Sequence, residues 1–315
     1  MTRKSRSSGG IRRFAPSVER VDLAVRKTAD PIESYANRIG YREDFLGTGV
    51  KLVPPPSLAH WEGPDRIVYR LDDSSQYLLT YEHFSVAVSR ERRMPLFSAV
   101  NINGSTCKSR VARSNVWKLD PRIPAKSQIL TECYGREGDG YFSRGHMTRR
   151  EDAKWGPAPS ARRAEADSFH VTNAVPQAQS FNAPIWLRLE DRLLKHARAD
   201  GMKISVITGP VFADDDLEMF EVRVPRRFWK VIAFIHDDTH RLSLTGYIAS
   251  QAEQVADLRQ VQFVFGRYRG WQVPIRQIAR LSDLDFDRCV RADVLASADD
   301  RFAFELRSVA DVYTV

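Results

Sequence analysis

The pattern of apolar and polar positions divides the chain into a strand-rich body with few helices. Residues 66–71, 77–89 and 95–102 carry β-branched and aromatic residues at strand length, separated by polar turns, so they predict an antiparallel meander. Further strands are predicted over 203–207, 219–224, 229–236, 242–250 and 261–265, with a shorter one at 168–172. Two helices are predicted. In the first, Asn182 caps the start, Pro184 fits the first turn, Ile185, Leu189 and Leu193 form an apolar stripe beside Trp186, and Gly201 stops it. The second, 274–284, repeats its apolar positions at helical period. The long segment 103–163 is polar and without period, which signals binding loops carried on a rigid scaffold. The predicted fold class is α+β, a central antiparallel sheet flanked by helices.

Asp30-Pro31, Gly47-Thr48-Gly49 and Pro54-Pro55-Pro56 mark turns and an extended connector. With a boundary near residue 35, the chain reads as a flexible basic N-terminal arm, 1–35, ahead of one folded domain, 36–315. Thr208-Gly209-Pro210 reads as a further turn.

The composition, 43% apolar and 28% charged over 315 residues, is that of a soluble protein with room for a sizeable core. No signal-peptide pattern follows the start, no run reaches the roughly 18 apolar residues of a membrane span, and three scattered cysteines suggest no disulfide framework. These features predict a cytoplasmic protein with no membrane partner. The net charge of +8 is unevenly distributed: residues 1–27 carry +6 and residues 106–163 carry +7, which leaves the remainder acidic. Positive charge gathered in this way predicts attraction to a polyanion, because phosphate contacts supply most non-specific nucleic-acid affinity.

The candidate chemistry lies in and around that basic stretch. His146, in Arg144-Gly145-His146, can act as a general base near neutral pH, although a lone histidine is more often structural. Asn182 and Glu190 lie eight residues apart; on one helix their Cα atoms are about 12 Å apart along the axis and about 80° apart around it. They cannot easily touch one ion together. A hydrated Mg²⁺ accepts Asn182 as a direct ligand and Glu190 through water; the ordinary alternatives are a helix cap and a solvated carboxylate. Arg144 and Arg113 can hold a phosphate by their guanidinium forks, with Arg110 an alternative to Arg113 and surface charge the ordinary reading. Asn173 and Gln177 are read as shaping the loop under the site.

Together, Arg144-Gly145-His146-Met147, Thr172-Asn173, Pro176-Gln177, Phe181-Asn182, Trp186 and Leu189-Glu190 resemble the DNA/RNA non-specific endonucleases, the ββα-metal (His-Me finger) nucleases. The likeness extends to Tyr81-Glu82-His83-Phe84, Arg113-Ser114-Asn115, Phe228-Trp229-Lys230 and Val273-Pro274-Ile275, covering about residues 60–285. It implies hydrolysis of DNA and RNA with little sequence specificity, His146 as base, Asn182 as the protein ligand of Mg²⁺ (or of Mn²⁺ in its place), Glu190 as the water-mediated partner, and Arg113 and Arg144 at the phosphate. It also implies a homodimer, since family members often pair. Ser143 stands where the family usually has Asp, which predicts weakened activity or altered metal dependence. Two alternatives follow: a nucleic-acid-binding homologue that has lost catalysis, or the same chemistry used as a toxin or defence effector, with an immunity or regulatory partner.

Overall fold

The structure, a computed structural model, describes residues 24–26, 29–61, 63, 65–108, 111–112, 114, 116–134, 142–178, 191, 194–195, 197–252, 269–299 and 302–306. Its centre is an eight-stranded antiparallel sheet of β2 (Leu79–Thr80), β3 (Phe84–Val88), β4 (Pro95–Asn103), β8 (Lys203–Val211), β11 (Arg227–Ile235), β12 (Leu242–Ser250), β13 (Arg269–Val273) and β14 (Phe304–Glu305). Their spatial order is β14-β13-β12-β11-β8-β4-β3-β2. Outside it lie three strand pairs: β1 (Ala24–Arg26) beside β5 (Val116–Lys118), β6 (Phe142–His146) beside β7 (Ala174–Ala178), and β9 (Leu217–Met219) beside β10 (Val222–Val224). The described helices are α1 (Arg150–Ala153), α2 (Ala158–Ser168), α3 (Ile275–Ser282) and α4 (Asp287–Val290). The fold is the predicted α+β class.

Strand alternation gives the sheet two buried faces. On β11, Trp229, Val231 and Ala233 enter one core while Ile232 enters the other. Ile275 and Ile278 of α3 cover the first face, and Gly246 lets them approach: a Cβ there would lie 2.8 Å from Ile278 Cδ1. The backbone N–H of Ile275 donates to Asp293 Oδ2 at 2.7 Å, and Asp283 ends the helix in a left-handed conformation at φ 55°. The α1–α2 pair and the β6–β7 hairpin lie on the other face, where Ser98 of β4 contacts Thr148 just beyond β6.

Several local expectations are corrected. Residues 77–89 form a hairpin rather than one strand, because His83 turns the chain at φ 71° and pairs Leu79 with Val86. Residues 219–224 belong to a second tight hairpin, turned by Phe220 and Glu221 at positive φ. Of residues 66–71, Ile67 makes an isolated bridge to Ser89, and 171–173 form a 3₁₀ turn ahead of β7. Segment 103–163 holds β5, β6, α1 and α2. In α2 the buried residues are alanines and hydrogen-bonded polar groups, Glu165 and Asp167 among them, so no apolar stripe announces the helix. Thr208-Gly209-Pro210 lies within β8. Gly209 makes room for the Trp229 indole, whose Nε1–H donates to Pro210 O at 3.0 Å, and Pro210 sits beyond the stretch of β8 paired with β4.

The folded body also extends into the expected arm. Ala24–Arg26 pair in parallel with β5, and Tyr35 is buried in the core. Asp191, Leu194, Lys195 and 197–199 are helical, and Gly201 takes up φ 65° at the expected stop. The remainder of the helix predicted from Asn182, and the strand 261–265, lie outside the described residues. No helix among the described residues is long and apolar enough to cross a membrane.

Candidate active site

The β6–β7 hairpin carries the central motif. Its register pairs Ser143 with Gln177, Arg144 with Pro176, Gly145 with Val175 and His146 with Ala174. His146 closes β6 between two buried aromatic rings. Trp117 of β5 lies 4.7 Å away between ring centroids, tilted by 43°, and Phe169, just after α2, meets it edge-on at 5.1 Å and 87°. The sequence singles out neither: Trp117 lies in the aperiodic stretch 103–163, and Phe169 in the short predicted strand 168–172 with nothing to tie it to His146.

Asn173 fixes the backbone that follows the histidine. It is wholly buried. Its Oδ1 accepts from Thr148 N at 2.9 Å, its Nδ2 donates to Thr148 O at 2.9 Å and to Ser168 O at 3.0 Å, and its own carbonyl accepts from Met147 N at 2.9 Å. The hairpin is tied to the sheet at both ends. The Thr148 hydroxyl meets that of Ser98 at 2.7 Å. At the other end the buried Gln251 side chain accepts from Ala178 N and donates to the carbonyls of Pro176 and Pro225. Gln251 follows β12 with no sequence signal to mark it. Asn173 thus bonds to the backbone on both sides of the hairpin's end.

Gln177 lies across Gly145. A Cβ on Gly145 would sit 2.0 Å from Gln177 Cδ, so glycine is what allows the two strands their present side-chain packing. Gly145→Ala is expected to destabilise the protein by about 1–3 kcal/mol. Replacing Gln177 by Ala in the same chain should return most of the lost melting temperature, and a double variant as unstable as the single one would disprove the clash.

Ser143 is exposed on the hairpin. Arg144 is partly buried; one guanidinium nitrogen donates to Leu130 O at 2.5 Å, and the group lies 4.5 Å from the Tyr134 ring centre and 5.9 Å from that of Trp117. Burial lowers its pKa from the ordinary value, opposed by Tyr134 and Cys133, and an arginine remains a cation throughout the working range. Arg144 Nε, Trp117 Nε1 and Tyr134 OH are buried without a hydrogen-bond partner among the described residues. Buried donors left open are costly, and an oxyanion is a group that satisfies them.

Arg113, its alternative Arg110, and the expected metal residues Asn182 and Glu190 lie outside the described residues. The next residue after Glu190 is described: Asp191 Oδ1 lies 3.0 Å from a guanidinium nitrogen of Arg149, three residues beyond His146. Among the described residues no group of three or more His, Cys, Asp or Glu side chains could hold a metal ion.

A second histidine competes for attention, and the structure separates the two. His170 is fully buried; its Nδ1–H donates to Asp167 O at 2.7 Å and its Nε2 accepts from Tyr35 OH at 2.6 Å. Burial, with the charge of Lys118, pushes its pKa down to about 4. It is neutral at pH 7 with both nitrogens engaged, which disqualifies it as a base. The unfolded chain takes up this proton first, near pH 6.5. The stability tied to neutral His170 is therefore full above about pH 6.5 and is lost as pH falls toward 4, by about 3 kcal/mol. Denaturant midpoints measured from pH 7 to pH 4 should fall less steeply in His170→Gln; equal slopes would refute the assignment.

Residues 66–293 match the sequence profile of the DNA/RNA non-specific endonucleases, well over half of the chain. The chain belongs to that family. An uncharacterised protein of Sinorhizobium fredii, y4fB, is 34% identical over 95% of this chain and 46% of its own length. A protein of Nostoc named nuclease is 22% identical over 71% of this chain and 78% of its own length, and human mitochondrial nuclease EXOG is 27% identical over 48% and 42%. The chain thus spans about half the length of y4fB and of EXOG. The EndoG chain in a crystal structure of an EndoG/EndoGI complex shares the fold at a TM-score of 0.52, with 21% identity over 69% of this chain and 88% of that one. The matched residues include the β6–β7 hairpin.

Proposed function

We propose that the chain is a metal-dependent endonuclease that hydrolyses DNA and RNA phosphodiesters with little sequence preference, with His146 as general base. The observation that supports this most strongly is the mounting of His146, which closes β6 between Trp117 and Phe169 with the following backbone clamped by Asn173. The imidazole of His146 takes a proton from the water that attacks phosphorus in line. Arg144, with its neighbouring open donors, and Arg113 bear the phosphate charge. The two basic stretches, +6 and +7, draw the polyanion to the site.

An amide oxygen and a carboxylate acting through water form a hard-oxygen donor set that suits Mg²⁺, with Mn²⁺ as a substitute. Asn182 would hold the ion directly and Glu190 through water. When bound, the ion supplies Lewis-acid stabilisation of the leaving oxygen.

EDTA is expected to abolish cleavage of supercoiled plasmid, single-stranded DNA and RNA, and added Mg²⁺ to restore it. Cleavage that survives chelation would remove the metal from the proposal. Salt-sensitive binding with no cleavage under Mg²⁺ or Mn²⁺ would instead identify a nucleic-acid-binding protein.

A further inference from the structure

Residues 24–26 and 29–38 precede the family match at residues 66–293, yet they bond to the segments that carry both aromatic walls of His146. On one side, β1 pairs in parallel with β5: Ala24 with Val116, Val25 with Trp117, Arg26 with Lys118. The backbone that carries the Trp117 ring is thus the ladder partner of β1. Two strands of three residues are marginal by themselves, and Lys118 Nζ donates to Asp30 Oδ2 at 2.7 Å just beyond the pair.

On the other side, Tyr35 OH donates to His170 Nε2 at 2.6 Å, while Arg38 donates from Nε to Asp167 Oδ2 at 2.6 Å and from its terminal nitrogen to Oδ1 at 3.3 Å. Asp167 and His170 flank Phe169, the second wall. The Arg38 fork is 11% exposed and Asp167 is 1% exposed, so this pair is shielded from the water and salt that weaken surface ion pairs. Tyr35 also packs edge-on against His170, at 5.4 Å and 67°.

We propose that residues 24–26 and 29–38 act as a positioning strap: they fix Trp117 and Phe169 against His146, and so set the orientation of the base. The consequence for rate rests on the reading of His146 as base; the consequence for ring geometry does not. The strap acts through the aromatic walls and touches no substrate, so its loss should lower kcat and leave KM nearly unchanged. Small misplacements of a reacting group are enough to produce large rate losses.

The full chain carrying Arg38→Ala together with Asp30→Ala provides the test, alongside Tyr35→Phe, which removes a single hydroxyl. Two quantities are read: steady-state cleavage, and the NMR resonance of the His146 ring proton, which the ring currents of Trp117 and Phe169 displace and which is assigned by its absence in His146→Ala. The expected result for the double variant is a fall in kcat of roughly 10- to 100-fold, with KM within about twofold and the His146 resonance moved toward that of a free histidine. Tyr35→Phe should show a smaller change in the same direction, and Arg38→Lys with Asp30 intact should recover most of the rate. Folded variants with an unmoved resonance and unchanged kcat would overturn the proposal, as would a rise in KM alone. If the double variant fails to fold, Tyr35→Phe decides by the same two readings. Full activity of His146→Ala would remove the base reading, while the resonance would still report on the strap.

Discussion

His146→Ala is expected to cut cleavage of plasmid DNA and RNA by roughly 10²- to 10⁴-fold, the range over which a positioned general base contributes. The ring is held by Trp117 at 4.7 Å and Phe169 at 5.1 Å, so its removal also opens a gap between two buried aromatic groups. That gap gives the prediction a second arm. Added imidazole should enter it and return part of the lost rate, whereas a variant inactive through misfolding would not respond. Stability measured in parallel should fall only modestly, because the backbone after the histidine is held by Asn173. Undiminished cleavage by the purified variant would sink the assignment of the base.

Asn173→Ala is expected to have the largest effect on stability. Three side-chain hydrogen bonds disappear together, which leaves the N–H and carbonyl of Thr148 and the carbonyl of Ser168 without their amide partner in a fully buried place. At about 1–3 kcal/mol for each abandoned buried group, with partial relaxation, the total is on the order of 4 kcal/mol. For a chain of this size, that corresponds to a fall in melting temperature on the order of 10 °C. Asn173→Asp should fare little better, since a carboxylate still accepts from Thr148 N but has no proton for the two carbonyls. Both variants should lose activity in step with the freedom gained at Met147 and Thr148. A loss below about 2 °C in Asn173→Ala, measured by calorimetry, would show that the clamp contributes little.

How much of this was legible in the sequence depended on what each segment buries. β11 and β12 bury apolar side chains on both faces of the sheet, so 229–236 and 242–250 read directly as strands. Ser143 to His146 were legible as chemistry because an arginine, a glycine and a histidine stood together in a basic stretch. α2 was not, since its buried face is made of Ala161, Ala164 and bonded Glu165 and Asp167. Hairpins turned by His83, Phe220 and Glu221 at positive φ were missed because none of these residues is a usual turn former. The partners of the site were the least legible. Trp117 and Phe169 reach His146 from strands and turns far away in the chain, and Gln251 acts by bonding to main-chain groups that carry no sequence signature.

Among the described residues, the outermost strands of the large sheet, β2 and β14, are two residues each, while four of the six strands between them have nine residues. A two-residue ladder gives a neighbouring molecule almost no row of open N–H and C=O groups to copy, which is how natural sheets resist edge-to-edge stacking into fibres. Two copies of this chain that associate would therefore not do so by extending one sheet into the next through these edges. Within the described residues, a pair would then meet elsewhere than at these two short edges.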